Sequence, residues 1–232
     1  MIADDVLLRG IVGSHAYGLA RSCSTTDWAG VFLRPSHKFL GLTPPEMLLS
    51  SREAHDPDAR EYELGNIMRH ALEGRPGALE MLYLDDYVHI TDLGRQLIGL
   101  REHFLSAPTV ASGYLTYVER VVKQIVRRQE AATAGFDLRN PKGARHVLRL
   151  LQSGLALYTD GHLPLHVNDR GEMFDFGQDV GVLGDMDLLR DTVRSYEERF
   201  AATSSPLSKT PDRAKLSDWL RNVRLEELDR AR

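Results

Sequence analysis

Val6 to Val12 (VLLRGIV) is a short run of apolar and β-branched residues that stops at Gly13-Ser14. That is the pattern of a buried strand running into a turn. Gly13 to Ser24 is small and polar and reads as a loop with at most a short helix. Trp28 to Leu33 (WAGVFL) reads as a second strand, stopped by Pro35. Over Arg60 to Leu64, Tyr62 and Leu64 alternate with Glu61 and Glu63, which suits a third strand or the start of a helix. From Leu64 the period lengthens. Leu64, Ile67, Met68, Ala71 and Leu72 recur at spacings of three and four, one face of a helix. Gly74-Arg75-Pro76-Gly77 closes that helix, and Ala78 to Leu84 opens another.

The second half is mostly helical in pattern. Leu115, Val118, Val121, Val122, Ile125 and Val126 form one apolar stripe; Val147, Leu150, Leu151, Leu155 and Tyr158 form the next. The second stripe follows Asn140-Pro141 and ends near Gly161, the usual asymmetry of proline at a helix start and glycine at its end. His162 to Gly184 is less regular, with turn signals at Asn168-Asp169 and Gly171. Leu188 to Phe200 reads as helix, Thr203 to Pro211 as a linker, and Asp212 as the N-cap of a final amphipathic helix. Short strands followed by many helices predict an α+β protein: a small sheet domain over residues 1–110 and a mostly helical domain over residues 111–232.

Composition narrows the classes. The chain has 232 residues, 42% of them hydrophobic and 27% charged, with a net charge of −4. That is enough apolar material for a core, and it argues against disorder and against a general nucleic-acid coat. A single cysteine, Cys23, excludes an internal disulfide framework and a Cys-rich zinc site. The N-terminal segment lacks the basic residues of a secretory signal, and no run approaches ~20 apolar residues, so the reading is a cytoplasmic protein that does not enter the membrane. The net charge hides an asymmetry. Glu119 to Arg149 holds eight basic residues against three acids, a local +5 inside a remainder of −9. Such a segment is either an anion site or a solvated helix face.

The densest chemistry lies in Gly13 to Phe32 (GSHAYGLARSCSTTDWAGVF). A Gly-Ser pair after a strand lets backbone N–H groups and a hydroxyl approach a phosphate, and an acid at the start of the next strand can hold a divalent cation. The same pieces also make an ordinary hairpin. Downstream, Lys142, His146, Arg149 and Ser153 fall about one helical turn apart and share a face distinct from the apolar stripe. Arg149 can grip phosphate oxygens by a bidentate fork and Lys142 as a point charge.

The segment resembles the predicted nucleotidyltransferases of the DNA polymerase beta superfamily, in the branch that includes RNA-ligase-associated proteins. That branch reads like G-S-x-A-Y-G-x-A-x-x-x-S-D-x-D-Y-x-G-V, and Gly13, Ser14, Ala16, Tyr17, Gly18, Ala20, Ser24, Asp27, Gly30 and Val31 match it. Tyr62-Glu63-Leu64, Pro76 with Ala78-Leu79-Glu80-Met81-Leu82, His146-Val147-Leu148-Arg149-Leu150-Leu151 and Pro211-Asp212 resemble later family segments in the same order.

The resemblance implies metal-dependent transfer of a nucleoside monophosphate from a nucleoside triphosphate to an acceptor hydroxyl, with pyrophosphate released and Mg²⁺ or Mn²⁺ as cofactor. It implies phosphate contacts from Gly13 and Ser14, metal ligation by Asp27, and for Tyr17 either a nucleotide contact or packing beneath the loop. Lys142, His146 and Arg149 would face the triphosphate or the acceptor, which could be an RNA end, a protein hydroxyl or a small molecule. The nucleoside triphosphate would bind between the small sheet domain and the helical domain. One departure stands out: Thr25 occupies the position of the family's first carboxylate and offers only a neutral oxygen. The third acid falls best on Asp58, four residues before Tyr62, with Glu61 and Glu63 as weaker alternatives. Loss of one carboxylate also admits a second reading, a nucleotide- or RNA-binding regulatory module with weakened or lost catalysis.

Overall fold

The computed structural model describes residues 5–43, 45, 59–131, 137 and 139–230. Strand β1 spans Asp5–Val12, β2 Asp27–Leu33, β3 Ala59–Glu63 and β4 His89–Ile90. They form a mixed sheet in the order β3-β2-β1-β4. β2 runs antiparallel to β1, with Val12 opposite Asp27 and Leu8 opposite Val31. β3 lies parallel to β2, with Gly30 opposite Glu61 and Phe32 opposite Glu63. β4 pairs antiparallel with the outer side of β1.

Eight α-helices are seen among the described residues: α1 Leu64–Leu72, α2 Pro76–Leu82, α3 Asp92–Gly99, α4 Ala107–Ala131, α5 Asn140–Asp160, α6 Arg170–Gly181, α7 Met186–Ala202 and α8 Arg213–Arg230. The protein is thus an α+β fold, a small N-terminal mixed sheet followed by a mostly helical region. No helix among the described residues is long and apolar enough to cross a membrane.

Packing divides the chain into two compact units. The first contains Met1–Glu73, Gly77–Leu105 and Thr210–Arg232; the second contains Gly74–Pro76 and Ser106–Lys209. In the first unit Leu8, Val31 and Phe32 of the sheet, Leu64 and Ile67 of α1, and Leu82, Leu97 and Phe104 are fully buried. In the second, Val110, Tyr114, Val118 and Ile125 of α4 are buried, as are Val147, Leu150 and Leu157 of α5. The Tyr114 ring lies where α5 carries Gly154: a Cβ there would stand 2.4 Å from the ring. Each large apolar side chain buried this way contributes roughly 1.5–3 kcal/mol.

The sequence pattern places the domain division at residue 110 and the last helix in the helical domain. The structure differs, because α8 returns to the sheet unit. Leu216 and Val223 bury its inner side, and Arg224 donates to the Glu63 carboxylate at the end of β3. The same guanidinium donates to the Arg34 carbonyl at 2.8 Å and stacks 4.2 Å over the Phe39 ring. Near its N-terminal end, Asp212 caps α8 as expected, accepting from the Lys215 N–H at 3.1 Å. The reading of His162 to Gly184 as irregular also gives way, since α6 lies inside it. Asp169 accepts from the Glu172 N–H at 3.0 Å, and Met173, Phe176 and Val180 supply a buried stripe that the intervening acids and glycines obscured.

Glu63 is fully buried and Arg224 only 18% exposed. Arg224→Met strands a buried carboxylate and is expected to cost about 3 kcal/mol in urea unfolding. Glu63→Gln combined with Arg224→Met removes both charges and should recover part of that loss; a double variant worse than Arg224→Met alone would contradict the pairing. Burial also pushes the Tyr83 phenol up from 10.0 to about 12, and Tyr87, whose hydroxyl donates to the Met81 carbonyl at 2.8 Å, higher still. Both are raised above their unfolded values, so their contribution is complete below pH 10 and is lost as pH rises through the folded values. Tyrosinate absorbance of these two residues should therefore appear late and together with loss of helical circular dichroism.

Candidate active site

β1 ends at Val12, and the chain turns at once through Gly13. Gly13 and Gly18 both have φ of +71°, a region that costs other residues about 1–2 kcal/mol. Between them lies a single helical turn. The Tyr17 N–H donates to the Gly13 carbonyl at 3.1 Å, Gly18 to His15 at 3.3 Å and Leu19 to Ser14 at 2.8 Å. These bonds consume carbonyls; among the described residues no backbone acceptor is seen for the N–H groups at the turn's beginning, which lie next to the half-buried Ser14.

Asp27, the first residue of β2, sits beside this turn. A Cβ placed on Gly13 would lie 2.6 Å from its Oδ2. The register puts Val12, Gly10 and Leu8 of β1 on the same face as Asp27, Ala29 and Val31. Thr25 precedes the strand and is exposed.

The register also sorts the three alternatives for the remaining acid. Glu61 pairs with Gly30 and so lies on the sheet face opposite Asp27, where it is 1% exposed. Glu63 shares that face, and its carboxylate is occupied by the Gly65 N–H at 2.7 Å and by Arg224. Neither can meet Asp27 on one cation. Asp58 lies outside the described residues. Among the described residues there is no group of three or more His, Cys, Asp or Glu side chains able to hold a metal ion.

Tyr17 points away from the turn. Its hydroxyl donates to Glu80 Oε2 of α2 at 2.6 Å, and Glu80 is only 6% exposed. Two stretches that stand far apart in sequence, the A-Y-G of the turn and the L-E-M of α2, thus meet in one hydrogen bond.

In the helical unit, α5 carries a second cluster. Arg149 is 2% exposed and its Nη2 lies 3.3 Å from His146 Nδ1. A guanidinium can only donate, so His146 Nδ1 accepts and the imidazole is the tautomer with its proton on Nε2. Tyr117 of α4 packs edge-on to His146 with centroids 5.8 Å apart, and Arg120 stacks 4.2 Å over Tyr117. Lys142, one turn earlier, is exposed. Helical spacing puts Arg149 and Ser153 on a face distinct from the apolar stripe, yet both are buried, at 2% and 3% exposure. The long stem of Arg149 and the small Ser153 fit among packed helices in a way that charge patterning does not register.

The sequence matches the family described as RlaP: RNA repair pathway DNA polymerase beta family, over residues 3–195. The chain belongs to this family. It is a family of polymerase-beta-like nucleotidyltransferases, which accords with the mixed sheet and with the Gly13-Ser14 turn set against Asp27. No curated protein matches the chain. The family match ends at residue 195, before α8, yet α8 is packed into the sheet unit that holds the turn and Asp27.

The contact between Gly13 and Asp27 yields a test. Gly13→Ala combines a left-handed φ with a methyl driven against the Asp27 carboxylate, and should lower stability in urea by about 1–2 kcal/mol. Gly41→Ala is the control: a Cβ there meets nothing within 4 Å. Equal effects of the two substitutions would remove the special role of Gly13.

Proposed function

We propose that the protein transfers a nucleoside monophosphate from a nucleoside triphosphate to an acceptor hydroxyl. The acceptor oxygen bonds to the α-phosphorus, the bond to the β-phosphate oxygen breaks, pyrophosphate leaves, and the acceptor's proton is released to solvent. The observation that carries this reading is the single helical turn at Gly13–Gly18 opening off β1 directly beside Asp27, in a chain of the polymerase-beta-like family.

The turn's first N–H groups and the Ser14 hydroxyl would hold phosphate oxygens, because they are donors gathered at one point with Gly13 removing any side chain from the approach. Asp27 alone cannot build a protein cage for a dication. Mg²⁺ is, however, commonly held by one or two carboxylates together with substrate phosphates, and Asp27 with a bound triphosphate fits that pattern. Thr25 would add a neutral oxygen, and Asp58, the best sequence candidate for the family's third acid, would add a further carboxylate. When bound, Mg²⁺ or Mn²⁺ would neutralise phosphate charge and so remove the repulsion between the triphosphate and Asp27. Within the helical unit taken by itself, Lys142, His146 and Arg149 would be a second group of donors suited to anionic oxygens.

One observation favours a second reading, a binding or regulatory module without turnover: Thr25 stands where a charged ligand is needed for a two-metal site. The two readings separate in one assay. Purified protein is incubated with each α-labelled nucleoside triphosphate, Mg²⁺ or Mn²⁺, and RNA or protein acceptors. Label transfer that falls at least about 100-fold in Asp27→Ala, the scale of loss when charge stabilisation at a reacting group is removed, supports the enzyme. A silent wild type that binds nucleotide, with transfer gained in Thr25→Asp, supports the regulatory module. No nucleotide binding by calorimetry at millimolar ligand removes both.

A further inference from the structure

Tyr17 is a family-motif residue, yet its hydroxyl is already engaged at 2.6 Å by Glu80 Oε2. The carboxylate is 6% exposed, so it is largely withdrawn from water. A phenol donating to a buried carboxylate at this distance is a charge-assisted hydrogen bond, roughly twice as strong as a neutral one. The turn it holds is bounded by Gly13 and Gly18, both at φ +71°. Glycine at each end gives the segment two points where the backbone can swing with little steric resistance. A segment of this kind keeps one orientation only if something outside it supplies an anchor. Tyr17 reaches from the turn to α2 and supplies one.

We infer that Tyr17 and Glu80 form a positioning pair that latches the phosphate-facing turn onto α2. Tyr17 thereby acts on substrate through the backbone of Gly13 and Ser14 and does not itself touch the nucleotide. The pair matters for affinity more than for chemistry: an unlatched turn still carries every donor but presents them in the bound geometry for a smaller fraction of the time. Apparent affinity then falls by that fraction. The inference rests on the nucleotide-binding reading above for its affinity consequence, while the latch itself is a property of the free protein.

The test uses the full chain in five forms: wild type, Tyr17→Phe, Glu80→Ala, Glu80→Gln and the double variant Tyr17→Phe with Glu80→Ala. Binding of a nucleoside triphosphate with Mg²⁺ is measured by calorimetry, and backbone amide exchange at Tyr17, Gly18 and Leu19 is measured without ligand. Tyr17→Phe keeps the ring and removes the hydroxyl. It is expected to weaken binding about 10-fold and to speed exchange at these three amides by a similar factor. Where transfer is measurable, KM should rise with kcat nearly unchanged. Glu80→Ala should behave like Tyr17→Phe, and the double variant should be no worse than either alone. Glu80→Gln retains an acceptor oxygen and should stay within about 3-fold of wild type.

Wild-type affinity and exchange in Tyr17→Phe would overturn the latch. So would additive losses in the double variant, or a fall in kcat with KM unchanged. If the wild type binds no nucleotide, the function reading falls, and the exchange arm decides the latch by itself: faster exchange in Tyr17→Phe supports it, unchanged exchange overturns it.

Discussion

A buried carboxylate organises the sheet unit. Glu63 closes β3, accepts the Gly65 N–H and so caps α1, and receives the Arg224 guanidinium from α8. One side chain thus terminates a strand, starts a helix and fixes a second helix that arrives from the far end of the chain. Burying a carboxylate at 0% exposure is tolerable only when its oxygens are satisfied, and here each has a donor. Arg224 is constrained in turn by the Arg34 carbonyl and the Phe39 ring, which hold the segment after β2. The strand that carries Asp27 therefore owes its surroundings to contacts made well away from Asp27 itself. An acid that a sequence motif offers as a metal ligand is spent instead on architecture.

The candidate site depends on sheet alternation in the same way. Parallel pairing of β2 with β3 sends Glu61 and Glu63 to the face away from Asp27, so two of three sequence-level alternatives fail on register alone. Among the described residues, what is left around Asp27 is economical: one carboxylate, the turn's first N–H groups, and a hydroxyl at Ser14. On the proposed function, such a set would suit a phosphate together with a phosphate-borne cation, because each ion screens the charge that would repel the other. In the helical unit, Arg149 has little exposed surface of its own and serves to fix which nitrogen of His146 can donate.

Much of this was legible in the sequence, and the reason differs by element. The strands β1 and β2 were readable because short β-branched runs end at glycine or proline. α1, α4, α5 and α7 were readable because apolar residues recur with helical spacing. β4 has two residues, too few to show any period. α6 hid behind acids and glycines, although Asp169 is a strong N-cap. The Gly13–Phe32 motif identified the family, but it could not say what Tyr17 does, since a phenol in a loop carries no signal of its partner 63 positions later. The burial of Arg149 and the Glu63–Arg224 pair were beyond reach for a related reason. Long-range pairing leaves no local pattern, and a charged residue in a helix reads as surface until its neighbours in space are known.

The composition of the first unit has a consequence for how the chain acquires its structure. Its residues come from both sides of the helical segment 106–209, so the helical unit is an insertion within it. During synthesis from the N-terminus, the sheet strands emerge early but cannot bury Glu63 against its partner until Arg224 has been made. The helical unit is contiguous and rich in contacts close in sequence, which favours rapid, independent folding. The sheet unit, and with it the turn beside Asp27, is then completed last, when α8 docks. Until that moment Glu63 lacks its guanidinium partner and has to stay in contact with water, so the packing around the turn beside Asp27 is completed only when the last helix arrives.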